Sequence, residues 1–182
     1  MKTKLFVFIF IAAVTTSALF ADNKVSENVV RAFRAAGIQT SSEGMAIKDF
    51  TLLMLDGTNF TLSQQRGKVV FLNFWAAWCP PCRNEMPSME ALHQKLKNKG
   101  LEMVAVNLGD SRNDVSSFMK QNNLSFSVVL DSRKTTGSMY GIRSIPTTYI
   151  IDKRGLVVGR RIGSIDWNAP NVVAAFEVLL AE

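Results

Sequence analysis

Soft ligands are scarce in this chain, with two cysteines and a single histidine among 182 residues. That excludes a structural zinc site, which takes four such donors. It also excludes the multi-bridge framework that staples many small exported domains. Long apolar runs are equally scarce. The one unbroken run is Leu5 to Val14, and nothing later is long and apolar enough to span a bilayer. Basic residues outnumber acidic ones by 21 to 15, but they are scattered. Their densest cluster, KLKNKG at Lys95 to Gly100, reads as a solvated helix end with glycine as its C-cap. A basic stripe interleaved with aromatics is missing, so nucleic acid is not expected as a partner.

What is present begins with a leader. Met1-Lys2-Thr3-Lys4 is a short basic start, the apolar run follows, and small residues lead to Ala21. This layout predicts a secretory signal peptide over residues 1–21. Cleavage after Ala18 suits the small-residue rule better than cleavage after Ala21, which leaves Leu19 three positions back. The alternative is an uncleaved membrane anchor, since Leu5 to Phe20 is only slightly short of the roughly 17–25 residues that cross a bilayer. Either way the compartment is extracytoplasmic. Losing Lys2 and Lys4 with the leader would lower the formal charge from +6 to a mild +4.

Residues 22–44 read as a polar linker or a short helix around Val29, Val30, Ala32 and Phe33, with the compact domain predicted over 45–182. Within it, DFTLLMLDGTNFTL reads as a hairpin turning at Asp56-Gly57. KVVFLNFWA is nearly all apolar, as a central strand buried on both faces requires. A helix follows to about Lys97, with Pro87 inside it as an expected kink. Next come strand LEMVAVNL, helix SRNDVSSFMKQNN, strand SFSVVL, strands TTYIID and LVVGRRIG, and a closing helix over Trp167 to Leu180. Alternating strands and helices with a terminal hairpin predict an α/β sandwich around a mixed sheet.

Both cysteines fall in one stretch, WAAWCPPCRNEMP, at Trp75 to Pro87. A disulfide between Cys79 and Cys82 would close a loop so short that the chain-entropy gain is about 2 kcal/mol, against about 3 for a 15-residue loop. A domain of this size does not need that contribution, so the pair is read as chemistry. Its position, after a buried strand and at the first turn of a helix, suits that reading. Pro80 and Pro81 fit a first turn, where the missing N–H costs nothing. Free amides and the helix dipole favour a thiolate at Cys79, while Cys82, one turn inside, is expected to be shielded. An exposed attacking thiol beside a buried resolving thiol is what disulfide exchange requires. His93 lies roughly 16 Å further along the helix at 1.5 Å per residue, too far to share a metal with the pair, and reads as a helix-surface residue. Met86 and Met89 read as core packing.

These residues resemble the thioredoxin superfamily, and within it the exported TlpA/ResA/CcmG-like thiol–disulfide oxidoreductases. The resemblance runs from about Met45 to Gly163 and rests on DGTNFTLSQQRGKVVFLNFWAAWCPPCRNEMP, MVAVNLGDS, FSVVLD and YGIRSIPTTYIIDKRG. It implies a thioredoxin-like three-layer sandwich with an N-terminal β-hairpin extension. It also implies that Cys79 is the nucleophile, that Cys82 resolves, and that Pro146 is a cis-proline lying against the disulfide. Ile145 would then pair with a substrate strand, and Trp78, Pro80 and Pro81 would complete the binding surface. Where cytoplasmic thioredoxins keep a buried aspartate, this chain has Asn73. The exported subfamily's acidic residue matches Glu85, three positions after Cys82 and on the same side of the helix. Glu85 is either a proton relay for the thiols or a solvated helix residue.

The implied function is reduction of disulfides in other exported proteins, with the haem-site cysteines of apocytochrome c among the candidate clients. Electrons would come from a membrane thiol-transfer protein. No metal, flavin or nicotinamide is implied, and a monomer is expected. Three alternatives stand beside it: a disulfide-introducing oxidase, a peroxidase, and a non-enzymatic module holding a metal or partner. Peroxidases on this fold set their cysteine in P-x-x-x-T/S-x-x-C, whereas Ala76-Ala77-Trp78 precedes Cys79 here.

Overall fold

The structure, a computed structural model, describes residues 23–182. The predicted leader lies outside the described residues. Eight strands form one mixed sheet in the order β1-β8-β7-β4-β5-β6-β2-β3. Their ranges are β1 Met45–Ala46, β2 Thr51–Met54, β3 Asn59–Thr61, β4 Val69–Trp75, β5 Leu101–Asn107, β6 Ser127–Leu130, β7 Thr147–Ile151 and β8 Leu156–Ile162. β4 pairs in parallel with β5, and β5 with β6; the remaining pairings are antiparallel.

β4 sits at the centre and is buried along its whole length. Its side chains alternate across the sheet, as a strand's must. Val69, Phe71 and Trp75 enter one core, and Val70, Leu72 and Phe74 the other. The first core is covered by helices α1 Glu27–Ala35, α2 Pro80–Leu96, α3 Arg112–Gln121 and α5 Pro170–Leu180. The second is closed by Phe50, Phe60 and Leu62, with Met139 of the short helix α4 Thr135–Met139 and Tyr140 packed against it. The result is the expected α/β class, a thioredoxin-like fold.

The hairpin forms where Asp56-Gly57 predicts it, with a longer loop than that dipeptide usually makes. Gly57 takes a positive φ of 90° while Asp56 does not, so the tight turn with two left-handed residues is ruled out. Met54 instead receives the Gly57 amide at 3.1 Å, and the Asp56 carboxylate accepts the Thr58 amide at 2.9 Å. The hairpin extends the sheet edge through β2 and β6.

Ahead of Met45 the chain does more than link. Ser26 caps α1, and Val29, Val30 and Phe33 are buried in the first core, where Phe33 meets Phe176 of α5. Their spacing of one, three and four places them on one helical stripe. α4 was not foreseen, since TTGSM carries no apolar periodicity. α2 runs unbroken through Pro87, and α5 begins at Pro170 rather than Trp167. Among the described residues no helix is long and apolar enough to cross a membrane.

Candidate active site

β4 ends at Trp75, and the short loop that follows is pinned at Ala77 before α2 begins. The Ala77 amide donates to the Asp110 carboxylate at 2.7 Å, and the Asn107 side chain donates to the same oxygen at 2.7 Å. Cys79 is the N-cap of α2, with Pro80 and Pro81 opening the helix. Its Sγ receives the Cys82 amide at 3.3 Å and is bonded to the Cys82 sulfur. A helix N-terminus with one free amide aimed at a sulfur favours negative charge on it.

The Ile145–Pro146 peptide is cis, and the Ile145 carbonyl oxygen lies 3.8 Å from Cys79 Sγ. The structure therefore brings Cys79, Cys82, Ile145 and Pro146 together. Trp78, beside Cys79, is 66% exposed, a large apolar side chain facing solvent. Pro80 and Pro81 are exposed as well, while Ile145 is half-buried.

One expectation needs correcting. Cys79 is not an exposed sulfur in this disulfide form: it is 3% exposed and Cys82 is 0%. The Cys79 sulfur has the Cys82 amide at 3.3 Å on one side and the Ile145 carbonyl oxygen at 3.8 Å on another.

Glu85 is not solvated either; it is 2% exposed. Its two oxygens accept separate donors, Asn73 Nδ2 at 2.9 Å and Trp167 Nε1 at 2.9 Å. Asn73 uses its second N–H on Thr148 Oγ1 at 3.0 Å, so β4, β7 and α2 are tied at one point. Burial raises the carboxyl from 4.5 to about 7 despite those hydrogen bonds, the Ile165 amide and the Arg161 charge, which all oppose the rise. Near neutral pH such a carboxyl is poised to take up or give a proton.

Sequence reasoning missed Trp167, and it noted Asn73 as standing where an aspartate is usual without pairing it with Glu85. The signal for Asn73 was available: a lone polar residue in an apolar buried strand must find a partner. Trp167→Phe keeps an aromatic side chain, smaller than the indole, and deletes the N–H. The Glu85 carboxyl is then expected to bind its proton roughly tenfold more tightly, read by its pH titration in the variant. An unchanged titration would mean that the indole is only packing.

His93 is half-buried rather than on the surface. Its ring meets Phe126 edge-on at 6.4 Å, and burial holds its imidazole below the ordinary value. Met86 and Met89 are buried in the core as read. No cluster of metal-ligating side chains occurs among the described residues.

A helix-capping cysteine pair under a cis-proline, on a mixed sheet of this order, defines a thioredoxin-like thiol–disulfide oxidoreductase. The chain belongs to the AhpC/TSA family, whose profile matches residues 44–160. It is 42% identical to the thiol-disulfide oxidoreductase ResA of Bacillus subtilis over 68% of this chain and 69% of that protein. It is 39% identical to the thioredoxin-like protein YneN of the same organism, over 72% of this chain and 76% of that one. Among solved structures, a putative thiol:disulfide interchange protein DsbE from Chlorobium tepidum superposes with a TM-score of 0.69 at 34% identity, over 75% of this chain and 96% of that one. StoA of Bacillus subtilis gives a TM-score of 0.60 at 27% identity, over 70% and 96%. The chain is an enzyme of thiol–disulfide exchange, and its substrates are disulfide-bearing proteins.

Proposed function

We propose that this protein is an exported reductase in which Cys79 attacks and Cys82 resolves. The Cys79 thiolate displaces one sulfur of a client disulfide, giving a mixed disulfide and a client thiolate that takes a proton from solvent. Cys82 then gives its proton to the Glu85 carboxylate and attacks Cys79 Sγ. The second client sulfur leaves as thiolate, two electrons have passed to the client, and Cys79–Cys82 is a disulfide. Trp78, Pro80 and Pro81 form the docking surface, with the Ile145 backbone beside Pro146 holding the client strand.

The observation that carries this reading is the buried carboxyl of Glu85, one turn beyond Cys82. A negative charge held there disfavours a thiolate and so makes the dithiol a better electron donor, the opposite of what an oxidase needs. Apocytochrome c, with its Cys-x-x-Cys-His pair, is the client class that the resemblance to ResA favours. Recharging by a membrane thiol-transfer protein completes the cycle, in the extracytoplasmic space to which the leader directs the chain. The test mixes the dithiol form with oxidised apocytochrome c and counts client thiols. One client disulfide opened per Cys79–Cys82 pair closed is expected; a client left oxidised would remove it from the reading.

The nucleophile assignment has its own check. Alkylation rate against pH should report a Cys79 thiol titrating modestly below the free value of about 8.5, with Cys82 unreactive in the same range. Faster modification of Cys82 would reverse the two roles.

A further inference from the structure

Asn73 stands opposite Thr148 in the pairing of β4 with β7, and both residues are buried. The Asn73 amide nitrogen donates to Glu85 Oε1 at 2.9 Å and to Thr148 Oγ1 at 3.0 Å. Its Oδ1 is also buried and has no partner among the described residues. A buried carboxamide that leaves its acceptor unused is uncommon. The surroundings of Glu85 give that oxygen a use. Trp167 Nε1 donates to Glu85 Oε2, the Ile165 amide donates to the same carboxyl, and Arg161 of β8 adds a positive charge. None of these three groups can accept a hydrogen bond. Asp166, exposed on the cleft that Glu85 also lines, accepts the Asn168 amide instead. A carboxylate at Glu85 is well served, whereas a carboxyl O–H meets only donors. Asn73 alone can change sides. Its χ2 torsion is roughly two-fold, and a half turn puts Oδ1 where Nδ2 lies. Thr148 can follow, since a hydroxyl accepts or donates by rotation.

We infer that Asn73 is the positioning residue for the Glu85 proton: its carboxamide donates to the carboxylate and turns over to accept from the protonated carboxyl, with Thr148 reversing beside it. The inference rests on the Glu85 role proposed above and adds the group that accommodates the proton. On resolution the Cys82 proton passes to Glu85 Oε1, and the new O–H points at Asn73 Oδ1. When the dithiol is regenerated the proton returns to Cys82, and the amide turns back. Asn73 keeps two hydrogen bonds in each state, one to Glu85 and one to Thr148, and no electrons move in the turn. An ionised aspartate at this position could only accept, and it would face the Glu85 carboxylate with a like charge. That gives the asparagine a physical reason.

The test follows the side chains of the isotope-labelled disulfide form by NMR through the titration of Glu85, which ionises at about 7. Above that midpoint the Asn73 Nδ2 hydrogens should give nuclear Overhauser contacts to the Thr148 and Glu85 side chains. Below it those contacts should be lost, with the same midpoint as the Glu85 carboxyl carbon. Contacts unchanged through the titration would overturn the proposal and make water in the cleft the acceptor. Glu85→Gln separates this outcome from the role it rests on. If a Cys79 mixed disulfide with a small aromatic thiol resolves at the wild-type rate in Glu85→Gln, the Glu85 role fails and this inference with it. If resolution slows while the wild-type contacts stay fixed, the role stands and the turn is wrong. A second readout compares two deletions. Asn73→Leu removes a group that serves both states, so the proton affinity of Glu85 should move less than about threefold. Trp167→Phe removes a donor to the carboxylate alone and should move it roughly tenfold. An equal rise in the two variants would make Asn73 a fixed donor and overturn the proposal. Where Asn73→Leu does not fold, the wild-type titration decides alone.

Discussion

Cys79→Ser should abolish disulfide reduction, and Cys82→Ser should stop it after one half of the cycle. The two losses should differ because the proposed reading gives the two sulfurs different jobs. Without Cys79 no mixed disulfide should form, since the proposed attacking sulfur is the one at the helix N-cap and Cys82 lies one turn inside α2. Without Cys82 the mixed disulfide forms and has no internal thiol to resolve it. On a non-reducing gel, Cys82→Ser should therefore give a ladder of reducible adducts with exported proteins. The same ladder should vanish when Cys79→Ser is added. A ladder that persists in the double variant would exclude Cys79 as the attacking atom.

Glu85→Gln should flatten the dependence of folding stability on pH. The Glu85 carboxyl ionises at about 7 in the folded chain against 4.5 when free. Between those values the unfolded chain has lost a proton that the folded chain keeps, so stability falls as pH rises through that window. The fall amounts to about 3 kcal/mol, complete once pH passes the folded value. Below the free value both states are protonated and Glu85 has no effect on the slope. Urea unfolding at several pH values in the wild type and in Glu85→Gln measures it. The glutamine amide also places a donor among donors from Asn73 and Trp167, so the variant loses part of that network. Its absolute stability is therefore less informative than its slope. An identical slope in both proteins would mean that Glu85 ionises at its ordinary value despite its burial.

Much of this architecture was legible because the strongest signals were local. The apolar run ending at Trp75, the Asp56-Gly57 turn and the proline pair at a helix start each act within a few residues. The α1 helix was half legible: its stripe of Val29, Val30 and Phe33 is visible, but its partner Phe176 lies far along the chain. The site divides in the same way. Cys79 and Cys82 are local to one turn, and Pro146 entered through resemblance. The burial of Glu85 was not legible, because it depends on Asn73 and Trp167, twelve and eighty-two positions away. A glutamate in a polar helical stretch looks solvated until a sheet and a loop close over it. The burial of Cys79 was missed for a related reason, since its neighbour Ile145 lies sixty-six positions away.

The direction of electron flow is the central claim, and the redox state of Cys79 and Cys82 in growing cells tests it most directly. An exported thiol pair with no electron supply ends as a disulfide. The measurement is acid quenching followed by thiol trapping, in wild-type cells and in cells lacking membrane thiol-transfer proteins. A reductase recharged from the membrane should be mostly dithiol in the first and mostly disulfide in the second. A pair found oxidised in both would contradict the account and make the protein a disulfide-introducing oxidase.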